Sequence, residues 1–293
     1  MFCTQSVTPD AGTDIKYTVF SYILSTSANT TPILAATGAT GAINVGKTCY
    51  FPLIGYVYAF ESTWEPRTLY KFRVAATLSN LYAYVYTNTI TAASTLITRR
   101  NRINGSQSVS ITASTTGGFE DTVNSDNIAS GNNVNLRLVT GATGTSIALS
   151  VFQVKSNSAG RQVAAASSYI ISLVKGRTTY ITIEGNCQSI NDDETLVQVT
   201  ARTAFIAKNM YVNLYTNGIT NTTTFTLRKD GANGGLLVSV PSGATGQFED
   251  LDPAHATNFV AASLINWRVV TPYIGTSICI SCIGFELAQS APP

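Results

Sequence analysis

From Leu81 to Tyr86 the chain alternates aliphatic residues with tyrosines, Leu-Tyr-Ala-Tyr-Val-Tyr, and this period of two predicts a β-strand. The same period returns at Leu136 and Leu138, which alternate with Asn135 and Arg137, and at Ile147, Leu149 and Val151. No segment carries a sustained helical stripe with caps. β-Branched residues are abundant, and breaks rich in Gly, Asn and Ser recur at short intervals. Asn104-Gly105 and Asn233-Gly234 are the expected hairpin turns, because Asn-Gly tolerates the positive φ that tight turns demand.

The pattern occurs twice. Tyr82 to Asp121 aligns without a gap on Tyr211 to Asp250, at an offset of 129 residues. Beyond a two-residue insertion the offset becomes 131, placing Asn135-Leu-Arg-Leu-Val-Thr140 on Asn266-Trp-Arg-Val-Val-Thr271. Upstream, Gly46-Lys-Thr-Cys-Tyr50 corresponds to Gly176-Arg-Thr-Thr-Tyr180. The copies identify the inner faces: Leu81, Ala83 and Val85 become Met210, Val212 and Leu214, always apolar, whereas Tyr84 becomes Asn213. By the same test Leu136 and Leu138 (Trp267 and Val269) face the core, as do Ile147, Leu149 and Val151 (Ile278, Ile280 and Cys282). Asn135, Arg137, Asn266 and Arg268 are expected to face outward. About eight strands per repeat of roughly 130 residues predict an all-β chain. It would consist of two tandem homologous antiparallel β-sandwiches of jelly-roll type with an N-terminal extended arm. The expected divisions are an arm over 1–30, one repeat over 31–155, and a second over 156–293 that ends in a short tail. Lys155-Ser-Asn-Ser-Ala-Gly160 reads as the linker.

Composition narrows the function classes. Charged residues make up only 12 % of the 293 residues, and Thr, Ser, Asn and Gly supply most of the polarity. Such a surface suits either extensive contact with neighbours, since few charges need desolvation, or a neutral extracellular exterior. The net charge is +2 and the longest basic cluster is Arg99-Arg100-Asn101-Arg102, which argues against capture of nucleic acid. No apolar stretch approaches the length of a membrane-spanning helix, and residues 1–10 lack the layout of a secretory signal. Either the chain is used without export or a signal has been removed, and the initial Met favours the first.

Candidate chemistry is sparse, and neither catalytic residues nor cofactor is expected. The single histidine, His255, has no counterpart in the first repeat and reads as a loop residue. Glu120-Asp121 and Glu249-Asp250 are the acidic pair common to both copies. Adjacent carboxylates point apart, so they suit turn stabilisation, or a salt bridge with Arg99 or Arg228, better than glycoside hydrolysis. Asp192-Asp193-Glu194 lacks the spacing of a calcium loop. Five cysteines include Cys279-Ile-Ser-Cys282, but one such pair beside a single histidine cannot complete a four-ligand zinc site. Buried free thiols are expected. The outward tyrosines, Tyr82, Tyr84, Tyr86, Tyr211 and Tyr215, form a candidate interaction surface. Such a row is suited first to burial within an assembly and second to glycan binding.

Leu227-Arg-Lys-Asp-Gly-Ala-Asn-Gly-Gly235, Val238-Ser-Val-Pro-Ser-Gly-Ala-Thr-Gly246, Phe248-Glu-Asp250 and Asn266-Trp-Arg-Val-Val-Thr271 together resemble a repeat of virion structural proteins of tailed bacteriophages. The first repeat echoes it through Arg99 to Gly105, Phe119 to Asp121 and Asn135 to Thr140. The resemblance implies a non-enzymatic capsid decoration, head-fibre or tail-associated protein, assembled in the host cytoplasm into the virion. It implies major capsid or other virion proteins as partners, and a homo-oligomer, often a trimer. A receptor-binding tail protein that holds glycans and a double-jelly-roll major capsid protein are the alternatives.

Overall fold

The computed structural model of the chain describes residues 33–37, 40–56, 64–158, 161–166, 172–183 and 190–289. The expected arm over 1–30 lies outside them. Among the described residues the regular structure is β, interrupted by three short 3-10 turns at Glu65–Thr68, Glu194–Leu196 and Pro253–His255.

The first repeat is built on eight principal strands: β1 (Ile33–Thr37), β2 (Thr48–Phe51), β3 (Ala76–Ile90), β4 (Ser94–Arg100), β5 (Ile103–Ile111), β6 (Gly117–Ile128), β7 (Asn133–Val139) and β8 (Gly144–Ser158). They form two antiparallel sheets, ordered β1-β8-β3-β6 and β2-β7-β4-β5. The second repeat uses β9 (Arg161–Ala166), β10 (Thr178–Ile181), β11 (Phe205–Ile219), β12 (Thr223–Lys229), β13 (Ala232–Val240), β14 (Gly246–Asp250), β15 (Leu264–Val270) and β16 (Gly275–Gln289). Its sheets run β9-β16-β11-β14 and β10-β15-β12-β13. Consecutive strands cross repeatedly between facing sheets, and the orders are those of an eight-stranded jelly roll. Each half of the chain is one such roll.

The aliphatic residues expected inside do fill the two cores. Leu81, Ala83, Val85, Leu136 and Leu138 are buried in the first, and Met210, Val212, Leu214, Trp267 and Val269 in the second. The last strand departs from simple alternation. A β-bulge follows Leu149, so the core passes to Phe152 and Val154 while Val151 turns to the outer face. The bulge recurs after Ile280: Ile283 and Phe285 enter the core, and Cys282 faces away from it. Period two assigned Val151 and Cys282 inward, and one inserted residue reverses both.

Asn135 and Asn266 are fully buried rather than outward. In each repeat the short strand that follows a 3-10 turn extends the sheet beside β7 or β15 and holds that turn against it. Tyr70–Lys71 pairs with Val134 and Asn133, and Val199–Thr200 pairs with Ile265 and Leu264. The Asn135 amide donates to Thr68 Oγ1 at 2.9 Å beneath the turn.

The hairpin turns also lie three residues earlier than expected. Asn101-Arg102 and Asp230-Gly231 take the positive φ values, 50° and 67° in the first repeat and 52° and 75° in the second. Asn104 and Asn233 instead sit in strands. Gly105 is required by close approach rather than by φ, since a Cβ there would lie 2.4 Å from Thr98 Oγ1 and 2.5 Å from Asp126 Oδ2. The expected linker is strand as far as Ser158, pairing with Ala76, and the next strand begins at Arg161.

Asp121 locks a corner of the first roll. Its carboxylate accepts from the backbone N–H groups of Ser108 (2.8 Å), Val123 (3.1 Å) and Asn124 (3.0 Å), tying β6 to β5. Burial alone would raise its pKa, but these bonds and the Asn124 side chain outweigh it and bring it down to about 2. A depressed carboxyl stabilises the fold above the unfolded value of 3.8 and loses that contribution as pH falls towards 2. Asp121→Ala is therefore expected to cost about 2 kcal/mol at neutral pH, because three backbone N–H groups lose the charged acceptor they share. It should also flatten the acid limb of a stability–pH curve measured between about pH 5 and pH 2. An unchanged acid limb would assign that limb to other carboxylates.

Candidate interaction surface

The outer face of each β1-β8-β3-β6 type sheet carries the tyrosine row, and the two copies meet different fates. In the second repeat Tyr211 is 1 % exposed and Tyr215 half-buried, both covered by the first repeat. In the first repeat Tyr84 and Tyr86 remain 42 % and 40 % exposed, and Tyr82 lies half-buried with its ring over Gly118. The five tyrosines therefore do not form one surface. Two are spent inside the molecule and three form an open row.

What covers Tyr211, Asn213 and Tyr215 is the stretch from Trp64 to Arg73, which contains the first 3-10 turn and leads into β3. The Trp64 ring meets Tyr215 edge-on at 4.9 Å between centroids, and the Arg67 guanidinium lies 4.1 Å above the same ring. The Asn213 amide donates to the Pro66 carbonyl at 3.2 Å. Arg73 is the anchor. Its Nη1 reaches Glu249 Oε1 at 2.7 Å, its Nη2 donates to the Met210 carbonyl at 3.0 Å, and its guanidinium lies 4.9 Å from the centre of the Tyr211 ring. Lys71 Nζ joins the same Glu249 oxygen at 2.7 Å. Burial pushes the Glu249 carboxyl up, but the two cations outweigh it, so its pKa falls below the ordinary range. Deeper in the seam the Tyr211 hydroxyl and Cys282 Sγ are 3.0 Å apart. Burial lifts the thiol to about 12 and the phenol well above its usual value.

A second network, present in both repeats, holds the covering turn in place. Arg99 clasps Glu65 through Nε–Oε1 (2.9 Å) and Nη2–Oε2 (3.0 Å), and its Nη1 donates to Asn104 Oδ1 at 2.6 Å. Arg228 clasps Glu194 through the same atoms at 2.9 Å each, and its Nη1 donates to Asn233 Oδ1 at 2.5 Å. Glu65 and Glu194 are thus the partners of the arginines, not the Glu-Asp pairs considered from sequence. In those pairs the carboxylates do point apart. Asp121 and Asp250 are buried, and Glu120 is exposed on the opposite face.

Asp250 accepts from the backbone of Leu237 at 2.9 Å and sits 3.0 Å from His255 Nδ1. That hydrogen bond raises the histidine pKa, consistent with a loop residue that secures its own turn. Cys279 and Cys282 are buried free thiols and Cys49 is buried in the first core, while Cys3 and Cys187 lie outside the described residues. Among the described residues, a shallow hollow beside Leu173 and Ile190 offers only Arg177 and Asp192 as charged groups, and these pair with each other at 3.4 Å. No helix among the described residues is long and apolar enough to cross a membrane.

Glu65, Arg73 and Arg202 carried no expectation from the sequence, and Glu194 was noted there only as part of the acidic run Asp192-Asp193-Glu194. Their signal is present, since both pairs obey the 129-residue offset, but they stand among residues that differ between copies.

No family model matches the chain, and no curated protein does. Among solved structures, it is similar to the N-terminal CBM22-1-CBM22-2 tandem domain of Xyn10C from Paenibacillus barcinonensis, at 10 % identity and a TM-score of 0.26. That similarity covers 90 % of this chain and 100 % of the other. It is too slight to bear on strand order or on function.

Proposed function

We propose that the chain is a non-enzymatic structural protein of a virus particle, set on the outer face of a capsid, where it bridges neighbouring shell proteins. The observation that carries this reading is the charged seam anchored by the buried Arg73, which joins the two jelly rolls and leaves an aromatic face open. Jelly rolls of this strand order recur in capsid proteins and in lectins. A low-charge, aromatic face suits protein contacts of standard size, about 1,600 Å² in total. The acidic residues described support a structural role, because Asp121, Glu65, Glu194 and Glu249 are committed to backbone donors or cations rather than flanking a groove.

The two complete rolls also favour a second reading, a double-jelly-roll major capsid protein. Stoichiometry separates them. Purified particles bearing the chain are expected to show antibody label on the outer surface, with a copy number at or below that of a distinct shell protein. If the chain is itself the most abundant protein and forms the closed wall, the major capsid reading holds. Its absence from particles, together with specific retention on a glycan array, would replace both with a sugar-binding role.

A further inference from the structure

The seam between the repeats joins two surfaces, and the chain carries an unused copy of each. The unused receiving face is the row Tyr82, Tyr84 and Tyr86, at the positions of Tyr211, Asn213 and Tyr215. Beside it stands Glu120, paired in register with Tyr82 as Glu249 is with Tyr211. Glu249 holds two cations, whereas Glu120 is exposed and accepts only from the Asn80 amide, at 3.1 Å, among the described residues.

The unused covering segment is 193–202. Glu194 is clasped by Arg228 as Glu65 is by Arg99, so the 3-10 turn is held in the same way. Further along, the Phe72 backbone bonds to Asn132 O (2.9 Å) and Gly131 N (2.7 Å), and the Ala201 backbone bonds to Ser263 O (2.7 Å) and Ala262 N (2.8 Å). These are corresponding residues, so Arg202 leaves the frame where Arg73 does. Arg202 is exposed and makes no ion pair among the described residues. Leu196, in the place of Arg67, is likewise exposed.

We propose that copies of this chain associate head to tail: segment 193–202 of one chain covers the tyrosine row of the next, with Arg202 on Glu120 and Leu196 against Tyr86. The interface is heterologous, since the two patches differ, and successive copies form a ring if the rotation closes or a filament if it does not. Thr200 stands where the seam has Lys71, so this contact has one cation on the glutamate instead of two and is the weaker. The inference stands apart from the virion reading and holds wherever the protein is used.

Sedimentation velocity on the full chain, from about 1 μM to about 300 μM at low salt, tests it. The expected result is concentration-dependent growth beyond a dimer, with Arg202→Glu or Glu120→Arg each weakening association at least about tenfold. Mixing the two single variants is expected to restore growth, since each supplies the charge the other lacks. So is the doubly substituted chain. Both side chains are exposed, and unchanged melting of each variant checks that it folds. A wild-type chain that stays monomeric throughout overturns the proposal and leaves the face to a glycan or to residues 1–30. Association indifferent to both charge reversals, or not restored by mixing, overturns it equally.

Discussion

Arg73→Ala is expected to uncouple the two jelly rolls while leaving each one folded. The side chain is 8 % exposed and satisfies Glu249, the Met210 carbonyl and the Tyr211 ring together. Removing it leaves a partly buried carboxylate with Lys71 alone and a buried carbonyl without its donor. Losing a charge-assisted hydrogen bond to a partly exposed carboxylate together with the donor to the Met210 carbonyl costs about 2–3 kcal/mol. That loss falls on the seam, because Arg73 lies outside the sheets that define either core. Calorimetry should show a single cooperative transition in the wild type and two separated ones in the variant. Cys282 gives a local readout. Its thiol is buried against Tyr211 with a pKa raised to about 12, so it should resist alkylation until the repeats part. In the variant, mass spectrometry should find Cys282 alkylated while Cys49 stays protected in its own core. Persistent protection of Cys282, with one unshifted transition, would mean that apolar contacts such as Trp64 with Tyr215 hold the seam unaided.

The second large effect belongs to Trp267. It is fully buried in the second core, edge-on to Phe285 at 5.5 Å between centroids, where the first repeat has Leu136. Trp267→Ala leaves a void that the flanking strands cannot close, at a cost of about 4 kcal/mol. For a domain of this size that corresponds to roughly 15 °C in melting temperature. The two cores are separate clusters, so the loss should be confined to the second repeat. In an Arg73→Ala background, where the transitions separate, only one should move. Equal depression of both would show that the cores are not independent.

The class of fold was legible because both faces of each strand obey one simple rule, tested twice by the internal copy. Leu81, Ala83 and Val85 beside Met210, Val212 and Leu214 left little freedom in which side was buried. Misreadings arose where a local device overrides the rule. The bulges after Leu149 and Ile280 add one residue each, invisible to periodicity, and turn Val151 and Cys282 outward. Asn135 and Asn266 were misplaced for a different reason: a sheet's outer face is polar by default, and only the tertiary cover at 64–71 and 193–200 buries them. Asn-Gly drew attention from Asn101-Arg102 and Asp230-Gly231, although Asp-Gly is an equally good turn.

The tyrosine row was recognised as a surface, but its division was not legible. Nothing in Tyr211 or Tyr215 announces that another part of the same polypeptide reaches them. That information lies in Trp64 to Arg73, which differs in most positions from its copy.

Because both sides of the Arg73–Glu249 seam belong to one polypeptide, they meet at an effective concentration on the order of millimolar. Dilution does not part them. Selection could therefore let Asn213 stand where its twin is Tyr84 without loosening the pair. A contact between separate chains enjoys no such tether, and its occupancy falls as the protein is dispersed.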